Sequence, residues 1–259
     1  MSQSPLAMNE VSVLTINFEH MSLSKGDKVL DLGCGEGRHV ISAYMAYEVD
    51  AVGVDLSFDD LKISADRFTG FSEPDNEKKS FSLSASNALA LPFADNSFDA
   101  VICSEVLEHI PDYLSVLDEI TRVLKPEGIF AASVPRAWPE RICWALSREY
   151  HEVEGGHIRI FNARSLRNDI EKQGFDYYRG HWAHALHVPY WWLKCLFWRK
   201  QEQSKLIAAY HKLLVWDLMK KPWLTQTLDK LLNPLMGKSV VMYFQKQSSA
   251  PEYHGEANG

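Results

Sequence analysis

Apolar residues come in short runs that stop at glycine or a small polar residue. Most of these runs are followed by a stretch with helical spacing. "DKVLDLG" (Asp27–Gly33) is the first run. It is apolar on both faces apart from Asp31, as a covered parallel strand should be. "RHVISAYMAY" (Arg38–Tyr47) then repeats apolar side chains at three- and four-residue intervals, which predicts a helix. The alternation continues with strand "DAVGVDLS" (Asp50–Ser57), helix "FDDLKISADRF" (Phe58–Phe68) and a polar loop over 70–80. Strands "FSLSASNA" (Phe81–Ala88) and "FDAVICSEV" (Phe98–Val106) follow, then helix "DYLSVLDEITRVL" (Asp112–Leu124). That helix is stopped by Lys125, Pro126, Glu127 and Gly128, and strand "GIFAASVP" (Gly128–Pro135) comes next. Residues 1–25 read as a leading helix or loop.

Beyond Pro135 the pattern loosens. "PERICWALSRE" is helical in spacing, and "NARSLRNDIEKQG" predicts a helix capped by Asn162 and stopped at Gly174. "FDYYRGHW" and "KSVVMYFQKQ" (Lys238–Gln247) read as the sixth and seventh strands. Between them lie about fifty residues of mainly helical pattern, broken at Pro222 and Pro234. That is too long for a turn and too apolar for a disordered loop. The expected fold is α/β: a doubly wound, seven-stranded, mostly parallel sheet with an α-helical insertion between the sixth and seventh strands. Residues 1–185 and 237–248 form the main domain, 186–236 the insertion beside the carboxyl ends of the strands, and 249–259 a disordered tail.

Charge divides the chain in two. Its net charge is −7, yet residues 184–239 carry nine Lys/Arg against three Asp/Glu, leaving −13 on the rest. All eight tryptophans lie between Trp138 and Trp223. The acidic balance argues against a general nucleic-acid partner. Cys34, Cys103, Cys143 and Cys195 form no CxxC pair and read as reduced thiols. Histidines 181, 184 and 187 lack a matching carboxylate or cysteine set, so no metal site is expected. No apolar run is long enough to span a bilayer, and "MSQSPLAMNE" has no signal-peptide pattern. A cytoplasmic location is expected, with contact to the inner face of a membrane as a further option.

"VLDLGCGEG" (Val29–Gly37) carries the chemistry. Gly33, Gly35 and Gly37 lie between strand and helix, where glycines allow a sharp turn and close approach of a ligand. Asp55 ends the second strand and suits a ribose diol, since a carboxylate accepts from both hydroxyls. These features fit any nucleoside cofactor, NAD included. A dinucleotide turn wants GxGxxG, and here the third glycine is one residue early. Asp31 before the turn and Glu36 inside it oppose a pyrophosphate and suit an ammonium or sulfonium group.

Four stretches in order, VLDLGCGEG, GVDLS (Gly53–Ser57), SNALALPFADNSFDAVICSEVLEHI (Ser86–Ile110) and ITRVLKPEGIFAASVP (Ile120–Pro135), resemble class I S-adenosylmethionine-dependent methyltransferases. The similarity covers roughly residues 25–180 and is nearest the type 11 group, which includes quinone-biosynthesis and small-molecule enzymes. It implies a Rossmann-like methyltransferase fold and S-adenosylmethionine as cofactor. Asp31 and the backbone of Gly33, Gly35 and Gly37 would hold the methionine part. Asp55 would bind the ribose, Leu56 would pack on adenine, and Asn87 with Ala88 would meet the adenine edge. Many relatives carry Asp at the Asn87 position, and an Asn carbonyl oxygen can still accept from the adenine amino group. Ser104 and Glu105 would close the site.

Methyl transfer is an in-line displacement in which placement of the acceptor and exclusion of water do much of the work. A general base helps a hydroxyl acceptor, and His109, His157 and His184 are candidates. Arg159, His187, Tyr190 and Trp191 are candidate acceptor-pocket residues. The base-methylating signature (Asn/Asp)-Pro-Pro-aromatic is absent from "CSEVLEHIP", so a small-molecule or lipid-like acceptor is favoured over nucleic acid. The methylated atom (O, N or C) and the oligomeric state are left open. A protein that binds the cofactor for a structural or regulatory purpose is the alternative.

The insertion has three open roles. Leu186, Tyr190, Leu193 and Phe197 recur at helical spacing and would form a buried stripe. His181, His184 and His187 with Tyr190 and Trp191 would cap an acceptor. Trp191, Trp192 and Trp198 with Lys194, Arg199 and Lys200 fit contact between 186–221 and an anionic membrane surface, and "KLIAAYHKLLVWDLMKK" (Lys205–Lys221) adds a second basic amphipathic helix.

Overall fold

The structure is a computed structural model that describes residues 14–73, 75–153 and 155–248. The expected tail 249–259 and the first half of the expected leading segment, 1–13, lie outside the described residues. Seven strands form one sheet: β1 (Lys28–Leu32), β2 (Asp50–Asp55), β3 (Ser80–Ala85), β4 (Phe98–Ser104), β5 (Leu124–Pro135), β6 (Phe175–Ala183) and β7 (Ser239–Lys246). Their order is β3-β2-β1-β4-β5-β7-β6, with β7 alone antiparallel to its neighbours. The strand order switches sides between the parallel neighbours β1 and β4, which leaves a crevice at the carboxyl ends of the strands, where ligands bind in such sheets.

Helices α1 (Arg38–Ala46), α2 (Phe58–Phe68), α3 (Tyr113–Val123) and α6 (Ala163–Lys172) cover the sheet. Alternate side chains of the central strands feed two cores. Leu30, Leu32, Val101 and Phe130 pack against Val116, Leu117 and Ile120 of α3 and Leu166 and Ile170 of α6. Val29, Ala51 and Ile102 pack on the other face against Val40 and Tyr44 of α1, Leu61 of α2 and the segment Ile16–Met21. Residues 14–25 are not a helix; they include only a short 3-10 turn, Phe18–His20, and Asn17 N–H is anchored on the Tyr243 hydroxyl of β7 at 2.8 Å.

Helices α4 (Ala137–Leu146) and α5 (Glu149–Glu152) follow β5. Between β6 and β7 stand α7 (His187–Leu196), α8 (Lys205–Lys220) and α9 (Trp223–Met236).

Four sequence expectations change. β5 starts at Leu124, because Lys125–Gly128 forms an irregularity inside the strand: Phe98 pairs with Leu124 and Ala100 with Ile129. β3 stops at Ala85, where the polar turn 86–90 begins. Pro222 caps α9, but Pro234 lies inside that helix without breaking it. The buried stripe of α7 is Val188 and Cys195, not Leu186, Tyr190, Leu193 and Phe197, of which Phe197 is exposed.

Candidate active site

β1 delivers Asp31 to the crevice and the chain then turns through three glycines with φ of +73°, +49° and +91°. A Cβ on Gly33 would collide with Val106, and one on Gly37 would collide with Ser64 of α2 and Ile41 of α1. Gly35 N–H donates to Asp55 Oδ2 at 2.7 Å and Ser57 N–H to Asp55 Oδ1 at 2.8 Å, so the carboxylate ending β2 shapes the turn. Asp31 Oδ2 accepts from Val40 N–H at 3.0 Å, and Asp31 Oδ1 is buried without a partner. Burial pushes the Asp31 carboxyl up to about 7, against the Val40 hydrogen bond and the charge of Arg38. Glu36 turns instead to an ion pair with Arg67 of α2.

Around this turn stand the other residues implied for the cofactor. Leu56 is 77% exposed at the rim, an apolar face fit for a flat ring. Asn87 is exposed, and its Oδ1 accepts from Leu89 N–H at 3.0 Å; Ala88 leans on the core beside it. Ser133 Oγ donates to Glu105 Oε1 at 3.1 Å, so the 2.8 Å contact of Ser104 with Ser133 has Ser104 as donor. Glu105 sits at φ +58°, with Oε2 3.4 Å from Lys238 Nζ. The orphaned Asp31 oxygen, the glycine turn and the Asp55 carboxylate fit S-adenosylmethionine: a cation for Asp31, a diol for Asp55.

A second group of polar side chains lies beyond Glu105. The short turn Leu107–His109 after β4 buries Glu108 completely, with neither carboxylate oxygen hydrogen-bonded. Glu108 Oε1 is 4.0 Å from Nε2 of both His109 and His157. The two imidazoles are neighbours, with centroids 5.0 Å apart. His157 Nδ1 lies 2.6 Å from Glu140 Oε1 and His109 Nδ1 lies 3.2 Å from the Gly156 carbonyl. Burial, then the charge of Glu105, pushes Glu108 well above the usual carboxylate range. Burial acts the same way on Glu140, but the hydrogen bond and charge of His157 outweigh it and hold Glu140 low. Burial lowers His109.

The insertion adds an apolar wall. Trp191, Trp192 and Val188 of α7 face Pro139, Glu140 and Cys143 of α4, with Tyr150 of α5 and Lys238 completing a tight cleft. Lys238 joins this cleft to Glu105, and Glu140 joins it to His157. Of the proposed pocket residues, Trp191 lines the cleft. Tyr190 turns to Tyr210 and His211 of α8, and Arg159 stacks on Tyr113 and Phe161 while donating to the Pro111 carbonyl. His187 packs against His184. His184 is buried, pairs with Thr15 Oγ1 at 3.1 Å and is held well below its usual value by burial, apart from the His109–His157 pair. Trp192 donates to the Pro139 carbonyl, so the tryptophans of α7 serve the cleft and its packing.

Glu108, Glu140, Tyr150 and Lys238 escaped the sequence analysis. Glu140 had one signal: a carboxylate four residues before Trp144, on the face of "WPERICW" that packs inward, where it accepts from Trp144 Nε1 at 3.0 Å. Ligand atoms of Glu108, His109 and His157 all lie within 4.8 Å of one another, a grouping the sequence does not single out.

The strand order and the acidic glycine turn define a class I S-adenosylmethionine-dependent methyltransferase fold. A profile of the family described as "Methyltransferase domain" matches residues 13–179, and the chain belongs to that family. It is 34% identical over 169 residues to methyltransferase GfsG of Streptomyces halstedii, covering 61% of this chain and 56% of that protein. It is 38% identical over 115 residues to a demethylmenaquinone methyltransferase of Listeria monocytogenes, covering 43% and 46%. The chain thus spans about half the length of these relatives. A Haemonchus contortus phosphoethanolamine N-methyltransferase 2, solved with S-adenosyl-L-methionine, superposes with a TM-score of 0.55 at 20% identity, over 89% of this chain and 51% of that one. Among the described residues no helix is long and apolar enough to cross a membrane.

Proposed function

We propose that the chain transfers the methyl group of S-adenosylmethionine to a small hydrophobic or amphipathic acceptor that binds at the carboxyl ends of the strands, beside the glycine turn. The carrying observation is the acidic glycine turn: Asp31 Oδ1 is buried without a partner, and Asp55 takes the Gly35 and Ser57 amides at the end of β2. The bound cofactor supplies an electrophilic methyl on a good leaving group. Asp31 offsets its positive charge, Asp55 fixes the ribose, and Leu56, Asn87 and Ala88 place the adenine. Placement of the acceptor against the methyl group and exclusion of water from it do the rest. Incubation with methyl-labelled cofactor and a panel of isoprenoid quinones, phenols and fatty acids tests this. Labelled product from that panel supports it; cofactor binding without turnover on any acceptor favours the structural or regulatory alternative.

A membrane-facing role is supported by the outer helices rather than by α7. Leu224, Leu228, Leu231 and Leu235 recur along one stripe of α9 and are all exposed, Leu231 to 69%. The opposite side is polar and turned inward: Asp229 accepts from Leu186 N–H at 3.0 Å and Asn233 from Ala185 N–H at 2.9 Å. Leu206, Leu213 and Trp216 of α8 are exposed as well. Lys205, Lys212, Lys220, Lys221 and Lys230 are exposed among them, whereas Asp217 is buried against Thr225 and Gln226. An apolar stripe ringed by lysines matches an anionic bilayer surface, and such a surface suits delivery of a lipid-like acceptor.

A further inference from the structure

We propose that Glu108, His109 and His157 form a binding site for one divalent first-row transition-metal ion, with Glu140 and the Gly156 carbonyl orienting the two imidazoles. Two imidazoles and one carboxylate are a donor set that such ions favour, and the set leaves coordination positions open.

The geometry is that of a site prepared for a cation. Each histidine has its Nδ1 held by an acceptor: His157 by Glu140 Oε1 at 2.6 Å, His109 by the Gly156 carbonyl at 3.2 Å. A proton fixed on Nδ1 leaves the lone pair on Nε2, and both Nε2 atoms lie 4.0 Å from Glu108 Oε1. The carboxylate–histidine pair of Glu140 and His157 is the usual outer support of a metal-bound imidazole. Arms of about 2.1 Å to a tetrahedral ion place ligand atoms roughly 3.4 Å apart; the two glutamate–histidine distances are 4.0 Å, and all three ligand atoms lie within 4.8 Å of one another.

Glu108 is the second, independent observation. It is fully buried, aimed between the two imidazoles, and neither of its oxygens has a hydrogen-bond partner. A buried carboxylate left this way is costly unless a cation or donor meets it. The surroundings lack positive charge to do so: Glu105, Glu108 and Glu140 face Lys238 as their ammonium, and Lys238 is spent 3.4 Å from Glu105. The side chain of His109 is 34% exposed, which gives an ion access from solvent.

The site shares no residue with the Asp31–Asp55 crevice, so metal binding and cofactor binding can fail independently. The test is direct titration of the full, chelator-treated chain with Co²⁺, followed by visible absorption, and with Zn²⁺ by calorimetry. The expected result is one equivalent of bound Co²⁺ with a ligand-field spectrum, displaced by Zn²⁺. Glu108→Gln and His157→Ala should abolish the spectrum. Glu140→Gln, which keeps all three ligands, should weaken affinity by about 10–100-fold. Retained cofactor binding by calorimetry shows that each variant is folded. A featureless titration of the wild-type chain, or a spectrum unchanged in His157→Ala and Glu140→Gln, overturns the proposal.

Discussion

The Gly35 amide donates to Asp55 Oδ2 at 2.7 Å, so the carboxylate that closes β2 also fixes the turn that follows β1. Asp55 therefore holds the glycine turn in shape, and under the proposed function its remaining lone pairs receive the ribose hydroxyls. Asp55→Ala removes both. Charge-assisted hydrogen bonds contribute about 1.5–3 kcal/mol each, so losing two weakens S-adenosylmethionine binding on the order of 100-fold or more. Calorimetry on protein with an unchanged circular dichroism spectrum measures this. A change of only a few-fold would remove Asp55 from the cofactor site.

Gly35 and Gly37 make a matched pair. Both have positive φ, but a Cβ on Gly37 would strike Ser64 and Ile41, while one on Gly35 meets nothing within 4 Å. Left-handed backbone costs a non-glycine residue about 1–2 kcal/mol, and forced overpacking adds about 1–3. Gly37→Ala should lower Tm by roughly 5–10 °C and Gly35→Ala by clearly less, given about 2–4 °C per kcal/mol at this size. Thermal melts of the two variants side by side check the order, and equal losses would contradict the packing argument.

Asp31 predicts a pH dependence of opposite sign for stability and for binding. Its carboxyl ionises near 3.8 when unfolded and at about 7 when folded. A raised acid leaves stability intact below pH 3.8 and removes it as pH rises toward 7, reaching on the order of 4 kcal/mol above that. Asp31→Asn keeps the acceptor for Val40 N–H and carries no charge, so it should be more stable than wild type at pH 8. The gap should close toward pH 4. A cationic cofactor favours the ionised form, so wild-type affinity should rise up to tenfold per pH unit until about pH 7 and then level. Denaturant melts and calorimetry across pH 5–9 read both slopes. A pH-independent affinity would show that Asp31 does not titrate against the ligand.

Parts of the site were legible because they follow strand ends. Asp31, the glycines and Asp55 are read from runs of apolar residues that stop, and the sheet brings successive carboxyl ends together by topology alone. The Glu108–His109–His157–Glu140 group was not legible as a group. His157 reaches Glu108 across 49 positions of sequence and Glu140 across 17, and the loop that carries it joins them, with Ile158 N–H donating to the Glu108 carbonyl at 3.1 Å. The phase of α7 was misread for a related reason. α7 is sandwiched between α4 and α8, so aromatic residues line both sides and no single stripe stands out. In α9 the rule that the apolar face is the buried one fails outright, since Asp229 and Asn233 hold the inner side. Sequence periodicity gives the existence of such a face, while only the packed structure says which way it points.

The outward stripe of α9 yields the last expectation. If α8 and α9 rest on an anionic bilayer, binding combines apolar contact from Trp223, Leu231 and Leu235, exposed to 77%, 69% and 68%, with attraction to the five lysines. Each lysine near such a surface contributes about 1 kcal/mol, and the attraction fades with a Debye length that shrinks to about 3 Å at 1 M salt. Phosphatidylglycerol-containing vesicles should therefore co-sediment the protein at low salt and release most of it at 1 M. Leu231→Ser/Leu235→Ser should weaken binding at both salt concentrations, because it removes the apolar part. Lys220→Glu/Lys221→Glu should weaken it mainly at low salt. None of these side chains is buried in the core, so melting temperatures should stay close to wild type. Protein that remains in the supernatant with every vesicle composition and elutes as a dimer would assign the stripe to a second copy of the chain.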